Sequence, residues 1–230
     1  MMPSNVPPVT VTAPDLRAPH RYIAIEGPIG AGKTLLAQRL AERWPMRTLL
    51  ERPEANPFLA RFYGDMPRYA LATELQFALQ RTEEGRQAAE LLARGDAHAL
   101  VTDFIPHKSA IFARLTLDAD EWPLYQLLAE RIAAADAPVP DLVIHLQASP
   151  ATLLTRVNKR ARSEEARISE TYLRQLSDAY DQFFYHYDDS PVLTVNTEHL
   201  NLLESDTDFA LLIEHIETMR GRKASFVKAL

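Results

Sequence analysis

Short apolar runs without polar alternation recur along the chain, separated by longer stretches with helical spacing. Tyr22-Ile23-Ala24-Ile25 ends in a glycine-rich turn, Thr48-Leu49-Leu50 leads to Glu51, and Ala99-Leu100-Val101-Thr102 leads to Asp103. Leu142-Val143-Ile144-His145-Leu146 follows Pro140-Asp141, and Val192-Leu193-Thr194-Val195 follows Pro191. Continuous apolar runs of this length mark strands buried on both faces. Leu35, Leu36, Leu40 and Trp44 form the apolar stripe of a first helix that Pro45 closes. The spacing predicts further helices over about 68–94, 119–135, 150–162, 168–186 and 206–220. Strands alternating with helices predict a parallel sheet covered on both faces, an α/β fold.

Residues Met1 to His20 break this pattern. They hold Pro3, Pro7, Pro8, Pro14 and Pro19 and show no helical or strand period, which predicts a flexible proline-rich tail. With no internal repeat, residues 21–230 read as a single domain, the size expected of one α/β unit.

Composition narrows the functional classes. The chain has 230 residues, 47% hydrophobic and 24% charged, with a net charge of −6. That charge argues against a sequence-independent grip on a nucleic acid polymer, which needs a basic surface. A small phosphorylated ligand needs only a local basic pocket. There is no cysteine, hence no disulfide, thiol nucleophile or cysteine metal site. No apolar run reaches a membrane span, and no secretory signal pattern opens the chain, so a cytoplasmic enzyme is expected.

Gly27-Pro28-Ile29-Gly30-Ala31-Gly32-Lys33-Thr34 fits G-x-x-x-x-G-K-[ST] and lies between an expected strand and an expected helix. Glycines let the backbone wrap so that several N–H groups face one phosphate, and the helix adds the positive end of its dipole. Lys33 can reach the β- and γ-phosphates of ATP, and the Thr34 hydroxyl can bind Mg²⁺. Ligands of open α/β sheets bind beyond the carboxyl ends of the strands, and Glu51 and Asp103 stand at two such ends. A kinase acting on an alcohol needs a proton acceptor that orients the nucleophile and an acid near Mg²⁺. Glu51 suits the first role and Asp103 the second; a loop acid and a strand-end cap are the plainer readings.

Arg156, Lys159, Arg160 and Arg162 cluster after the fourth run, followed by Glu164 and Glu165. Arg156 and Arg160 share a helix face, where like charges repel unless an anion joins them. The cluster reads either as a lid that closes on ATP and neutralises the transferred group, or as a solvated helix end paired to the glutamates. His107 reads as a loop residue, His145 as a core histidine, and Phe183, Phe184, Tyr185 and Tyr187 as core or dimer packing.

These residues together resemble the deoxynucleoside kinase family, in its bacterial deoxyadenosine/deoxyguanosine kinase type. Four blocks in order carry the resemblance, from Arg21 to about Arg220: IEGPIGAGKT, LLERPEANPFLARFY, TDFIPHKSAIFARLTL and PDLVIHLQASPATLLTRVNKRARSEEARISETYL. The resemblance implies a P-loop kinase fold with a five-stranded parallel sheet, an arginine-rich lid, and a homodimer formed through a helical face. It implies Glu51 as the base for the 5′-hydroxyl. Tyr63 and Glu165 become the holders of the sugar 3′-hydroxyl, Arg81 lies near the nucleobase, and Asp103 is a Mg²⁺-placing acid. Arg156, Arg160 and Arg162 form the lid. Two positions depart from the family pattern. Glu74 stands where a base-reading glutamine is usual; an ionised glutamate only accepts hydrogen bonds, and it could instead pair with Arg81 two turns on. Phe104 replaces an arginine common after the acid, and Lys108 fits the lysine that accompanies an aromatic there.

The reading that results is an ATP- and Mg²⁺-dependent kinase acting on the 5′-hydroxyl of a purine deoxynucleoside in nucleotide salvage. A nucleoside monophosphate kinase and a non-catalytic nucleotide-binding protein are its rivals.

Overall fold

The computed structural model describes residues 18–94, 99–133, 137–162 and 165–228. The tail expectation falls, up to residue 17, outside the described residues, as do the last residues of the expected helix over 119–135 and Glu164.

Among the described residues six strands form one parallel sheet: β1 (Tyr22–Glu26), β2 (Met46–Leu49), β3 (Ala99–Thr102), β4 (Leu142–Gln147), β5 (Val192–Asn196) and β6 (Lys223–Val227). Their order is β2-β3-β1-β4-β5-β6. The sheet has one strand more than the five expected. β6 pairs with β5 from Val192↔Lys223 to Asn196↔Val227. It is an edge strand in which only Phe226 is buried, so it carries Lys223 and Ser225 instead of an apolar run. Its pairing comes from β5, not from a pattern of its own.

The helices are α1 (Lys33–Arg43), α2 (Leu59–Phe62), α3 (Met66–Ala93), α4 (Lys108–Thr116), α5 (Glu121–Ile132), α6 (Pro150–Arg160), α7 (Glu170–His186) and α8 (Asp206–Thr218). Neither α2 nor α4 was legible as a helix: α2 is one turn long, and α4 opens with buried Lys108 and Ser109, which interrupt an apolar stripe. The α1 stripe is shifted from expectation. Leu36, Ala37 and Leu40 are buried and Trp44 is fully so, but Leu35 is exposed and lines a cleft beside the P-loop.

From β1 the chain steps to one side of the sheet for β2 and β3, and to the other for β4 to β6. The order therefore reverses at β1, and the crevice beyond its carboxyl end is where ligands of open α/β sheets sit. The core fills both faces of the strands, with Ile23, Ile25, Leu100, Val101, Leu142 and Ile144 at the sheet and Leu36, Leu40, Leu173 and Tyr180 over it.

Candidate active site

The P-loop follows β1 directly. Gly27, Gly30 and Gly32 all hold positive φ, at 146°, 86° and 95°. A Cβ on Gly27 would lie 2.4 Å from the Leu146 carbonyl oxygen, so the loop also needs glycine there to pass β4. Helix α1 begins on Gly32 without a side-chain cap, whereas serines at 149, 169 and 205 cap α6, α7 and α8. Its first N–H groups thus point into the crevice unshielded, the arrangement that receives a phosphate. Pro28, Ile29 and Ala31 shape the loop; the Pro28 carbonyl accepts from Ala31 N–H at 3.2 Å, and Ile29 packs on the core.

Lys33 folds back on the loop, its Nζ donating to the carbonyls of Gly27 at 2.7 Å and Pro28 at 3.0 Å. Burial, then the neighbouring Lys108 ammonium, holds its pKa down at about 8. The negative charge of an arriving phosphate would oppose both influences and favour the charged ammonium.

Thr34, Asp103 and Glu51 form a chain. The Thr34 hydroxyl donates to Asp103 Oδ2 at 2.5 Å, and the Glu51 backbone N–H donates to Asp103 Oδ1 at 2.8 Å. Asp103 therefore ties the first turn of α1 to the end of β2. Oxygen groups of this kind, one hydroxyl and one carboxylate, suit a hard cation carried in by nucleotide phosphates. Among the described residues no group of three or more His, Cys, Asp or Glu could hold a metal unaided.

The Glu51 carboxylate lies between two cations. Arg81 Nη2 donates to Oε1 at 2.6 Å, and Lys108 Nζ donates to Oε2 at 2.5 Å. Burial opposes ionisation of Glu51, but Lys108 and then Arg81 outweigh it and hold its pKa down at about 2. Arg81 also donates to Ser109 Oγ at 2.6 Å and lies over the Phe77 ring. It does not pair with Glu74. The Glu74 carboxyl instead accepts from the Thr116 hydroxyl at 3.2 Å, and burial pushes its pKa up to about 7. Phe104, in contrast, is buried in the core, so Lys108 is the cation that reaches Glu51 from this segment.

The basic cluster divides. Arg156 donates to the Thr197 hydroxyl at 2.9 Å and its carbonyl at 2.7 Å. Arg160 grips Glu165 through Nε and Nη2, at 3.1 Å and 2.5–2.6 Å. Both arginines, with Lys159, border a cavity of about 640 Å³ that Gly30, Gly32 and Leu35 close from the other side. Arg162 is exposed and is not part of that wall. Glu165 is thus engaged by Arg160, while Tyr63 lies close enough to it for burial and then the Glu165 charge to push the phenol up. Tyr63 also borders a second cavity of about 470 Å³, with Asn56 and Arg167.

Two buried acids beside the site, among the described residues, escaped sequence reasoning. Glu26, fully buried at the end of β1, accepts from Gly27 N–H at 2.9 Å, Ile105 N–H at 3.4 Å and the Tyr180 hydroxyl at 3.2 Å. The signal was a charged residue closing an apolar strand immediately before the P-loop. Glu84 lies inward on α3, where Glu74, Arg81 and Glu84 recur on one face; charge turned inward on a long helix marks a site and not a core. Tyr172 on α7 was also missed; its hydroxyl is buried and without a partner among the described residues. His145 is a core histidine as expected, 4.3 Å from the Phe184 ring, though its Nε2 has no hydrogen-bond partner among the described residues. His107 packs on the rings of Phe183 and Tyr187 and faces Asp189.

A P-loop opening a helix at the order reversal of a parallel sheet, with acids and cations gathered beyond it, defines a phosphotransferase of the P-loop kinase class. A model of the deoxynucleoside kinase family matches residues 23–220, and the chain belongs to that family. Deoxyguanosine kinase of Bacillus subtilis is 30% identical over 203 residues, covering 86% of this chain and 97% of that protein. Deoxyadenosine/deoxycytidine kinase of the same organism is 27% identical, covering 87% and 93%. The fold matches a structure of deoxyadenosine kinase from M. mycoides with bound dCTP, with a TM-score of 0.72 at 22% identity, covering 86% of this chain and all of that one.

Proposed function

We propose that this kinase transfers the γ-phosphoryl group of ATP to the 5′-hydroxyl of a purine deoxynucleoside, in nucleotide salvage in the cytoplasm. The observation that carries the reading is the part-buried Glu51 carboxylate, held between Arg81 and Lys108, with the Glu51 backbone joined through Asp103 to the P-loop threonine. Relatives named for deoxyguanosine and deoxyadenosine support the purine class.

Glu51 is the base in this reading. The incoming 5′-hydroxyl takes over one of its ion-pair bonds, donates its proton to the carboxylate, and is aimed at the phosphorus in line. Lys33 leaves the loop carbonyls for the phosphates. Arg156, Arg160 and Arg162 neutralise charge on the transferred group as the lid closes. Lys108 takes the place of the arginine that Phe104 replaces. Tyr63 and Glu165 hold the sugar 3′-hydroxyl, Glu165 exchanging part of its bond to Arg160. Thr34 and Asp103 would hold Mg²⁺, which supplies positive charge to the phosphates when bound.

The working unit in this reading is a homodimer. Leu79 on α3 and Leu124 and Leu127 on α5 are 49%, 46% and 48% exposed, and these two helices pack on each other. Exposed leucines on two helices that pack together suit a second copy. No described helix is long and apolar enough to cross a membrane.

The test is an ATP-consumption assay against the four deoxynucleosides, the matching ribonucleosides and the monophosphates. Turnover on deoxyadenosine or deoxyguanosine is expected. Turnover only on a monophosphate would remove the reading, and light scattering at assay concentration decides the dimer.

A further inference from the structure

Glu74, like Glu84, has a buried carboxyl oxygen without a hydrogen-bond partner among the described residues. It is 1% exposed, Thr116 serves Oε1, and Oε2 has no partner among the described residues. The Tyr172 hydroxyl on α7 and Arg81 Nε on α3 are buried and likewise without a hydrogen-bond partner. Glu74 and Tyr172 are near enough that the Glu74 charge raises the phenol's pKa, after burial and Tyr63. Buried polar groups are ordinarily paired, so unpaired ones on α3 and α7 whose charges influence one another point to a ligand that pairs them.

We propose that Glu74 discriminates between the purines and that its protonation sets which purine is preferred; this rests on the purine deoxynucleoside reading above. An ionised carboxylate offers two acceptors and no donor. It matches guanine, whose N1–H and N2–H groups are adjacent donors. A neutral carboxyl offers one donor and one acceptor. It matches adenine, which presents the N6 amino donor beside a ring nitrogen acceptor, and also the O6 and N1–H pair of guanine, so ionisation acts by excluding adenine. Only an acid passes between these two patterns; an amide is confined to the second. Arg81 Nε adds a donor for guanine O6, and the Tyr172 hydroxyl can donate or accept.

The groups facing Glu74 come from every packed element. Arg81 lies on its own helix, Lys108 and the Thr116 hydroxyl on α4, and Glu51 after β2. Tyr63 after α2, Tyr125 on α5 and Tyr172 on α7 complete the shell. Burial dominates and raises the carboxyl to about 7, against the pull of Arg81, Thr116 and Lys108 and with a push from Glu51. The exchange of patterns then falls in the range where such enzymes work.

The test is the ratio of kcat/KM for deoxyguanosine to that for deoxyadenosine, measured from about pH 5.5 to 8.5 on the full chain and on Glu74→Gln. The wild-type ratio is expected to rise tenfold or more with pH, the order of one hydrogen bond to a charged group gained or lost. In Glu74→Gln it is expected to be flat. Turnover on both purines with a flat wild-type ratio overturns the proposal and leaves the deoxynucleoside reading standing. A slope that survives unchanged in Glu74→Gln also overturns it. Turnover on no purine deoxynucleoside removes the substrate reading and this inference with it. If Glu74→Gln does not fold, the wild-type slope decides.

Discussion

Lys108 Nζ stands 2.5 Å from Glu51 Oε2, although the two residues are 57 positions apart in the chain. Lys108 is buried and Glu51 largely so, and Arg81 occupies the other carboxylate oxygen. A buried carboxylate with one cation removed would cost several kcal/mol, so the three groups stand or fall together. The same arrangement keeps Glu51 ionised at any working pH while holding it away from solvent.

Glu51→Gln keeps the size of the side chain and removes its basicity. We expect turnover to fall about 10²- to 10⁴-fold, the span of general-base contributions, with ATP binding retained because the P-loop contacts are separate. Steady-state kinetics and a nucleotide titration check both parts. Near-native turnover from a folded variant would exclude Glu51 as the base.

Lys108→Met should move the acid limb of kcat/KM. Lys108 is the strongest pull holding Glu51 down at about 2, so removing it raises the Glu51 pKa. Activity would then be lost at a higher pH as the solution is acidified, by about one unit or more. Lys108→Arg should keep the wild-type limb, since a guanidinium can take the same oxygen. An unmoved limb in Lys108→Met would show that the ion pair does not set the base.

Folding stability should depend on pH in two opposed ways. Glu51 is depressed to about 2, so its contribution is complete above the ordinary carboxylate range and is lost as pH falls through that value. Glu74 and Glu84 are raised to about 7, so theirs is complete below the ordinary range and is lost as pH rises through 7. The ligand-free protein should therefore melt highest in weak acid, near pH 5, and lower at pH 8 (both roughly placed). Ionising Glu74 costs on the order of 3 kcal/mol. Glu74→Gln should accordingly narrow the difference between melts at the two pH values; an equal difference in both proteins would refute the assignment.

The glycines of the P-loop should separate by what a Cβ would meet. At Gly27 it would lie 2.4 Å from the Leu146 carbonyl oxygen, whereas at Gly32 nothing lies within 4 Å. Both residues have positive φ, which alone costs about 1–2 kcal/mol for alanine. Gly32→Ala should lose about that much, and Gly27→Ala clearly more, because β4 backbone must shift. Thermal melts with and without ATP compare them. Equal losses would mean that contact with β4 does not constrain the loop.

Much of the site was legible because it is encoded locally. Gly27 to Thr34 is continuous, and its strand and helix are set by neighbours within a few positions. Glu51 and Asp103 stood out because a strand-end acid in an α/β sheet opens on the shared crevice, and both do. The inward face of α3 was not legible as a whole. Glu74 and Arg81 stood out only through the family pattern, and Glu84 looks like an ordinary helix-surface charge until α4 and α5 pack on α3. Tyr172 looked like one more aromatic of a core stripe, and its unpaired hydroxyl appears only in the folded chain.

The sequence by itself determined the alternation of strand and helix, the phosphate loop and the identity of the acids beyond it, since these follow from patterns a few residues wide. The tertiary structure decided which charge meets which. It sent Arg81 to Glu51 and not to Glu74, put Lys108 on the oxygen that Phe104 cannot reach, and added β6 to an edge that its own residues do not announce. The reason is physical. Strand and helix periods are local geometry, whereas a buried ion pair or a polar edge strand is stabilised only by partners that folding brings from far along the chain.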